Sequence, residues 1–191
     1  MRGLFLIILL FSLNSQAVPA SSWPKTNTKI KDINSKEITW APGKNGALIV
    51  FTSAHCPLDN AWFSRILKHA NWAQKNDFFV AFINSHSPTK YHFNEKSRLL
   101  ESLNIQNKGI HYIVDENQAL AKIFRAQRSP SAFVFNSDKN RTYFGAIDDQ
   151  PESSKEIKEE YLKTALSNTL KGKKVGQNYI HPLGCKIEKE K

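Results

Sequence analysis

Two cysteines, Cys56 and Cys185, are the residues of this chain best suited to covalent chemistry. A thiolate attacks disulfides and peroxides, whereas a neutral thiol does so poorly. Cys56 lies in Ser53-Ala54-His55-Cys56-Pro57, directly after the apolar run Ala47–Thr52 and before a stretch of helical periodicity. A helix starting at Pro57 directs its first N–H groups and its positive dipole end at Cys56, which favours the ionised sulfur. A protonated His55 would add to that field, and the Ser53 hydroxyl offers a hydrogen-bond donor. Asp59 stands where a first-turn carboxylate helps a helix to start. Cys56 can also be read as a buried thiol that packs like a small hydrophobe, and His55 as a solvent-facing loop residue.

Three roles are open to Cys185: condensing with an oxidised Cys56, staying a surface thiol, or forming one end of a permanent bridge. His55-Cys56 and His181-x-x-x-Cys185 could together offer copper or zinc a His/Cys site, although their spacing matches no strong ligand motif. His69, His86, His92 and His111 are scattered and read mostly as surface residues. No cofactor is implied.

These groups need elements to hold them. The turn Pro42–Gly46 leads into Ala47–Thr52, which has the look of a buried parallel strand. Trp62, Phe63, Ile66, Leu67, Ala70 and Ala73 recur at helical spacing, predicting a helix from Pro57 to Lys75 with proline in its first turn. Asp77–Asn84 reads as a second buried strand, Ser85–Phe93 as a polar loop, and Asn94–Leu103 as a short helix. Gly109–Val114 reads as an edge strand and Asn117–Phe124 as a helical turn or two. Ser129-Pro130 opens a third strong strand, Ser131–Phe135, whose hairpin partner is Arg141–Ile147. Ser153–Leu170 is patterned as a final amphipathic helix, and a lysine-rich tail follows. The order β-α-β-(α)-β-β-α describes an α/β sandwich with parallel strands first and an antiparallel hairpin last.

The chain has 191 residues, 40% of them hydrophobic, which is room for one ordinary globular domain and a leader. The net charge of +10 is spread along the chain without the basic, aromatic-interleaved stripe of a nucleic-acid binder. Met1-Arg2, the apolar stretch Gly3–Leu13, and the small residues around Ala17 and Ala20 read as a secretory signal. The apolar run is shorter than the roughly 20 residues a membrane-spanning helix needs, so stable insertion is not expected.

The segments FTSAHCPLDNAWFSRI and RAQRSPSAFVFNSDKNRTYFGAIDD, with the ending GCKIEK, resemble the thioredoxin-fold redoxin group, the relatives of alkyl hydroperoxide reductase and thiol-specific antioxidant. The resemblance runs from about Trp40 to the C-terminus. It implies an α/β fold of thioredoxin type: a three-layer α/β/α sandwich with a mixed central sheet. It divides the chain into a signal peptide (1–20), an N-terminal arm (21–45), the thioredoxin-like domain (46–171) and a flexible tail carrying Cys185 (172–191). It further implies an exported, periplasmic or secreted oxidoreductase acting on a thiol, disulfide or peroxide substrate with an external reductant. Cys56, Cys185, Ser53 and His55 would then be catalytic. Pro57, Ser129 and Pro130 would line the substrate site, with the Ser129–Pro130 bond cis. Two departures count against particular activities. Asp59 replaces the second cysteine of Cys-x-x-Cys, and Ile49 stands at the proline position of the peroxiredoxin motif. A catalytically silent, thioredoxin-like binding module is therefore the rival reading.

Cleavage near Ala17 or Ala20 is expected on export. The intact mass of the exported protein checks this, and a retained Met1 would contradict it.

Overall fold

A strand buried on both faces has to lie in the middle of its sheet, and every residue from Gly46 to Phe51 is buried. A computed structural model of the chain describes residues 23–24, 30–33, 35–86, 109–151 and 155–188. Its first elements are a two-residue ladder of β1 (Ile30–Lys31) with β2 (Glu37–Ile38). Then come β3 (Gly46–Phe51), α1 (Pro57–Lys75), β4 (Phe78–Asn84), β5 (Ile110–Val114) and α2 (Ala119–Phe124). The chain continues through β6 (Arg128–Ser129), β7 (Ser131–Phe135), β8 (Arg141–Gly145), α3 (Tyr161–Leu170), β9 (Tyr179–Ile180) and β10 (Cys185–Lys186).

The main sheet has six strands in the order β5-β4-β3-β7-β8-β9. β3 runs parallel to β4 and antiparallel to β7, so the sheet is mixed. Alternation along β3 sends Leu48 and Val50 to one face and Ala47, Ile49 and Phe51 to the other. On the first face α1 packs Trp62, Ile66, Ala70 and Ala73, and α3 packs Leu162, Ala165 and Leu166. On the second, α2 packs Leu120 and Phe124 against Trp40, Phe133 and Phe135. This is the three-layer α/β/α sandwich with a mixed central sheet that the resemblance implies.

The last helix is shorter than its sequence pattern, beginning at Tyr161 rather than Ser153. The chain just before it pairs with the loop after β8 instead. Lys158 and Glu159 donate their N–H groups to Asp149 Oδ1 at 3.1 Å each, and the Asp149 N–H donates to the Glu159 carbonyl. The segment read as a tail contributes two strands, β9 beside β8 and β10 beside β6. The leader, the Asn94–Leu103 helix and His92 lie outside the described residues. Among the described residues, no helix is long and apolar enough to cross a membrane.

Phe133 is fully buried, stacked on Phe144 at 4.3 Å and in edge contact with Phe51 at 5.6 Å. Phe133→Ala is expected to cost about 3–5 kcal/mol of stability, read by denaturant unfolding of the oxidised protein.

Candidate active site

The ends of three strands meet at one row of the sheet, because Phe51 of β3 pairs with Ile83 of β4 and with Ser131 of β7. The segments just beyond that row therefore converge: Thr52–Cys56 after β3, Ser85–His86 after β4, and Ser129–Pro130 before β7.

The first of these is tied down by a buried carboxylate. Asp59 is 1% exposed and accepts hydrogen bonds from the Thr52 hydroxyl at 2.9 Å and the Ser53 N–H at 3.0 Å. The bland first-turn role is thus extended, since Asp59 fixes the loop that carries Cys56. Ser53 Oγ accepts the His55 N–H at 3.3 Å. Cys56 is the N-cap of α1, in extended backbone geometry, and its carbonyl accepts the Asn60 N–H at 3.1 Å. Pro57 follows in the first turn, where a missing N–H costs nothing. His55 and Pro57 are exposed, whereas Cys56 is only 2% exposed.

Opposite the cysteine stands the Ser129–Pro130 peptide, which is cis. The Ser129 carbonyl oxygen lies 3.4 Å from Cys56 Sγ. Its hydroxyl lies 2.8 Å from His86 Nε2.

Cys185 completes the site from the far end of the chain. It forms a disulfide with Cys56, with Cα atoms 5.8 Å apart across 129 positions of sequence. β10 lies antiparallel on β6 with Cys185 opposite Ser129 and Lys186 opposite Arg128. Four further contacts hold it. Arg128 donates to the Gly184 carbonyl at 2.7 Å, and the Ile187 N–H donates to the Gln127 carbonyl at 2.9 Å. Gln118 donates to the Glu188 carbonyl, and Ile187 is buried in the cluster around α2. Gly184 has no room for a side chain, since a Cβ there would sit 2.2 Å from the Ser129 oxygen and 2.6 Å from its carbonyl carbon.

No protein-family model and no curated protein matches the chain. Solved structures do. An uncharacterized conserved protein from Geobacillus kaustophilus superposes with a TM-score of 0.75 at 23% identity, covering 85% of this chain and 88% of that one. A hypothetical protein from Sinorhizobium meliloti gives 0.77 at 22% identity, covering 91% and 96%. A thioredoxin-like protein solved in its oxidised form gives 0.58 at 17% identity, covering 80% and 97%. The chain has a thioredoxin-like fold.

Within that fold, Cys56, Cys185, Ser129 and Pro130 come together as one site. The pair His55-Cys56 and His181-x-x-x-Cys185 does not assemble as free ligands here, because both sulfurs are bonded to each other. His181 is exposed, with Nδ1 3.3 Å from the Tyr179 hydroxyl. Among the described residues, no cluster of three or more His, Cys, Asp or Glu is poised to hold a metal.

His86 is the site residue that the sequence reading misses, and its surface assignment is corrected: it is 8% exposed. Its position one residue past a polar Asn-Ser step carries no hydrophobic pattern, so only the strand register exposes its role. Burial, and then the nearby His55, push its pKa down to about 4, against an opposing pull from Glu188. The ring is therefore neutral at pH 7 and can share one hydrogen bond with the Ser129 hydroxyl. His111 is also partly withdrawn from solvent, 3.6 Å from Asp32.

Because the folded His86 binds a proton more weakly than the unfolded one, its contribution is complete above about pH 6.5 and is lost as pH falls toward 4. Between pH 7 and pH 5 that loss amounts to about 2 kcal/mol. His86→Gln is expected to flatten the pH dependence of urea unfolding by that amount, and an unchanged slope would contradict the burial of a neutral ring.

Proposed function

We propose that the chain is an exported redoxin that reduces peroxides or disulfides through Cys56, with Cys185 as its resolving thiol. The observation that carries this reading is the Cys56–Cys185 bond at the N-cap of α1, against the Ser129 carbonyl. A sulfur at a helix N-terminus leaves and attacks as a thiolate more readily than a free cysteine, whose pKa is about 8.5. Ser53 and His55 tune the field at that sulfur. Pro57, Ser129 and Pro130 line the approach to it.

With a peroxide, the Cys56 thiolate attacks one oxygen and the O–O bond breaks. An alcohol or water departs and a sulfenic acid forms on Cys56. The Cys185 thiol condenses with that sulfenic acid, forming the disulfide and releasing water. With a disulfide substrate, Cys56 attacks one sulfur and expels the other as a thiolate. Cys185 then displaces the bound half and closes the same bond. An external dithiol returns both cysteines to thiols and becomes a disulfide itself. In this reading residues 1–20 are the leader, 21–45 an arm, 46–171 the catalytic domain and 172–191 the segment bearing the resolving cysteine. Export to the periplasm or beyond suits a protein whose cycle passes through a disulfide.

Hydrogen peroxide and a small disulfide are each supplied with an external dithiol, and their consumption is followed. Cys56→Ser is expected to fall to the uncatalysed rate. Given peroxide without the dithiol, Cys185→Ser is expected to consume one equivalent and stop with sulfenic acid on Cys56, where wild type forms the disulfide. Wild-type protein that consumes neither substrate would transfer the assignment to a thioredoxin-like binding module, whose partner affinity survives Cys56→Ser.

A further inference from the structure

The C-terminal strand β10 pairs with β6, the two-residue segment whose backbone runs into the Ser129–Pro130 peptide opposite Cys56. β10 pairs with Arg128–Ser129, immediately before Pro130, and Cys185 lies opposite Ser129. Backbone pairing at an open edge is how extended segments are commonly bound. Here that edge is taken by the chain's own residues.

The contacts that hold the tail are of a kind that does not require the disulfide. Ile187 is 6% exposed and belongs to the buried apolar cluster that contains Leu120 and Phe124 of α2. Arg128 holds the Gly184 carbonyl, Gln127 accepts the Ile187 N–H, and Gln118 reaches the Glu188 carbonyl. Gly184 lies flat on the Ser129–Pro130 peptide, where any Cβ would meet backbone that cannot yield. The segment thus fits its edge by shape, apolar burial and hydrogen bonding, in addition to the covalent bond.

We infer that the Gly184–Glu188 segment stays docked on β6 in the reduced protein, and that it restricts Cys56 to low-mass peroxides and disulfides by excluding extended protein segments. This rests on Cys56 being the reactive thiol proposed above. A small oxidant needs only a path to one sulfur. A protein disulfide needs the Arg128–Ser129 edge, and must wait until Ile187 leaves its pocket. Its reaction rate is then scaled by the fraction of molecules with the tail undocked.

The test uses the reduced full-length chain and its Gly184→Ala and Ile187→Ser variants. Two probes are supplied: hydroxyethyl disulfide, and a carrier protein whose extended surface segment bears a cysteine blocked as a thionitrobenzoate mixed disulfide. With each, the Cys56 thiolate forms a mixed disulfide and expels one thiolate. Both variants are expected to react with the carrier protein about tenfold faster or more than wild type, while their rates with the small disulfide stay within about twofold. A carrier rate that is unchanged, or that rises in step with the small probe, overturns the inference. Amide hydrogen exchange of reduced Cys185→Ser provides a readout that needs no thiol reactivity. Docking predicts that the Ile187 amide, bonded to the Gln127 carbonyl, is protected without any disulfide. Exchange of that amide at the rate of an unstructured chain overturns the inference even where Cys56 reacts as proposed. An inert Cys56 beside a protected Ile187 would instead defeat the proposed activity and leave the docking in place.

Discussion

Cys56 Sγ and the Ser129 carbonyl oxygen are 3.4 Å apart, and most of the architecture serves to keep them so. Each is placed by a strand end. Phe51 and Ser131 are register partners, so the loop leaving β3 and the peptide entering β7 must emerge side by side. A one-residue slip would exchange the side chains of the two faces and mismatch both packed layers, Leu48 and Val50 on one and Ala47, Ile49 and Phe51 on the other. The fully buried Leu48, Ile49, Phe133 and Val134 therefore fix the sulfur as surely as any contact near it. Asp59 then takes up the remaining freedom, since its two oxygens hold Thr52 and Ser53 while its backbone belongs to the first turn of α1.

Polar groups around this point are buried in connected sets. Asp115 accepts the Ser85 hydroxyl and caps α2 through the N–H groups of Leu120 and Ala121. Gln118 donates to the Ser85 carbonyl at 3.0 Å and also to that of Glu188. One side chain thus ties the start of α2 to the segment bearing His86 and to the tail. A buried donor left without its acceptor costs about 1–3 kcal/mol, so displacing the tail is felt at β4 as well as at β6. His86 stays neutral in this setting and contributes a hydrogen bond with Ser129 without a charge that would need a buried partner.

What the amino-acid sequence discloses follows the strength of its periodicity. β3, β4 and β7 are continuous apolar runs, and α1 has both its bounds where the pattern and Pro57 put them. An α/β sandwich could be read from these alone, whereas its thioredoxin type is implied by the resemblance of the segments around Cys56 and Pro130. Three things could not be read. Ser153–Tyr161 carries helical apolar spacing, but the carboxylate of Asp149 offers its backbone a better partner. β9 and β10 are two residues long each, amid lysines and glycines, with no period to detect. His86 takes its place from the pairing of Phe51 with Ile83, which is a long-range fact. The cysteine pair lay between these cases: the residues were evident, whereas their meeting depended on two strands too short to be patterned.

That meeting resolves the oddity of two bonded cysteines separated by 129 positions. Closing so long a loop in an unfolded chain carries an entropic cost that grows with its length, and a local Cys-x-x-Cys avoids it. In the folded chain nearly all of that closure is accomplished by the sheet. β9 anchors Tyr179–Ile180 beside β8, and Pro182 is buried. From Ile180 to Cys185 the chain spans at most about 17 Å when extended. Cys185 is therefore confined by the sheet to a short reach from β9, and short tethers give effective concentrations on the order of millimolar. A second cysteine placed at Asp59 would have been nearer in sequence. It would also have removed the carboxylate that holds Thr52 and Ser53, and with them the position of the sulfur it was meant to serve.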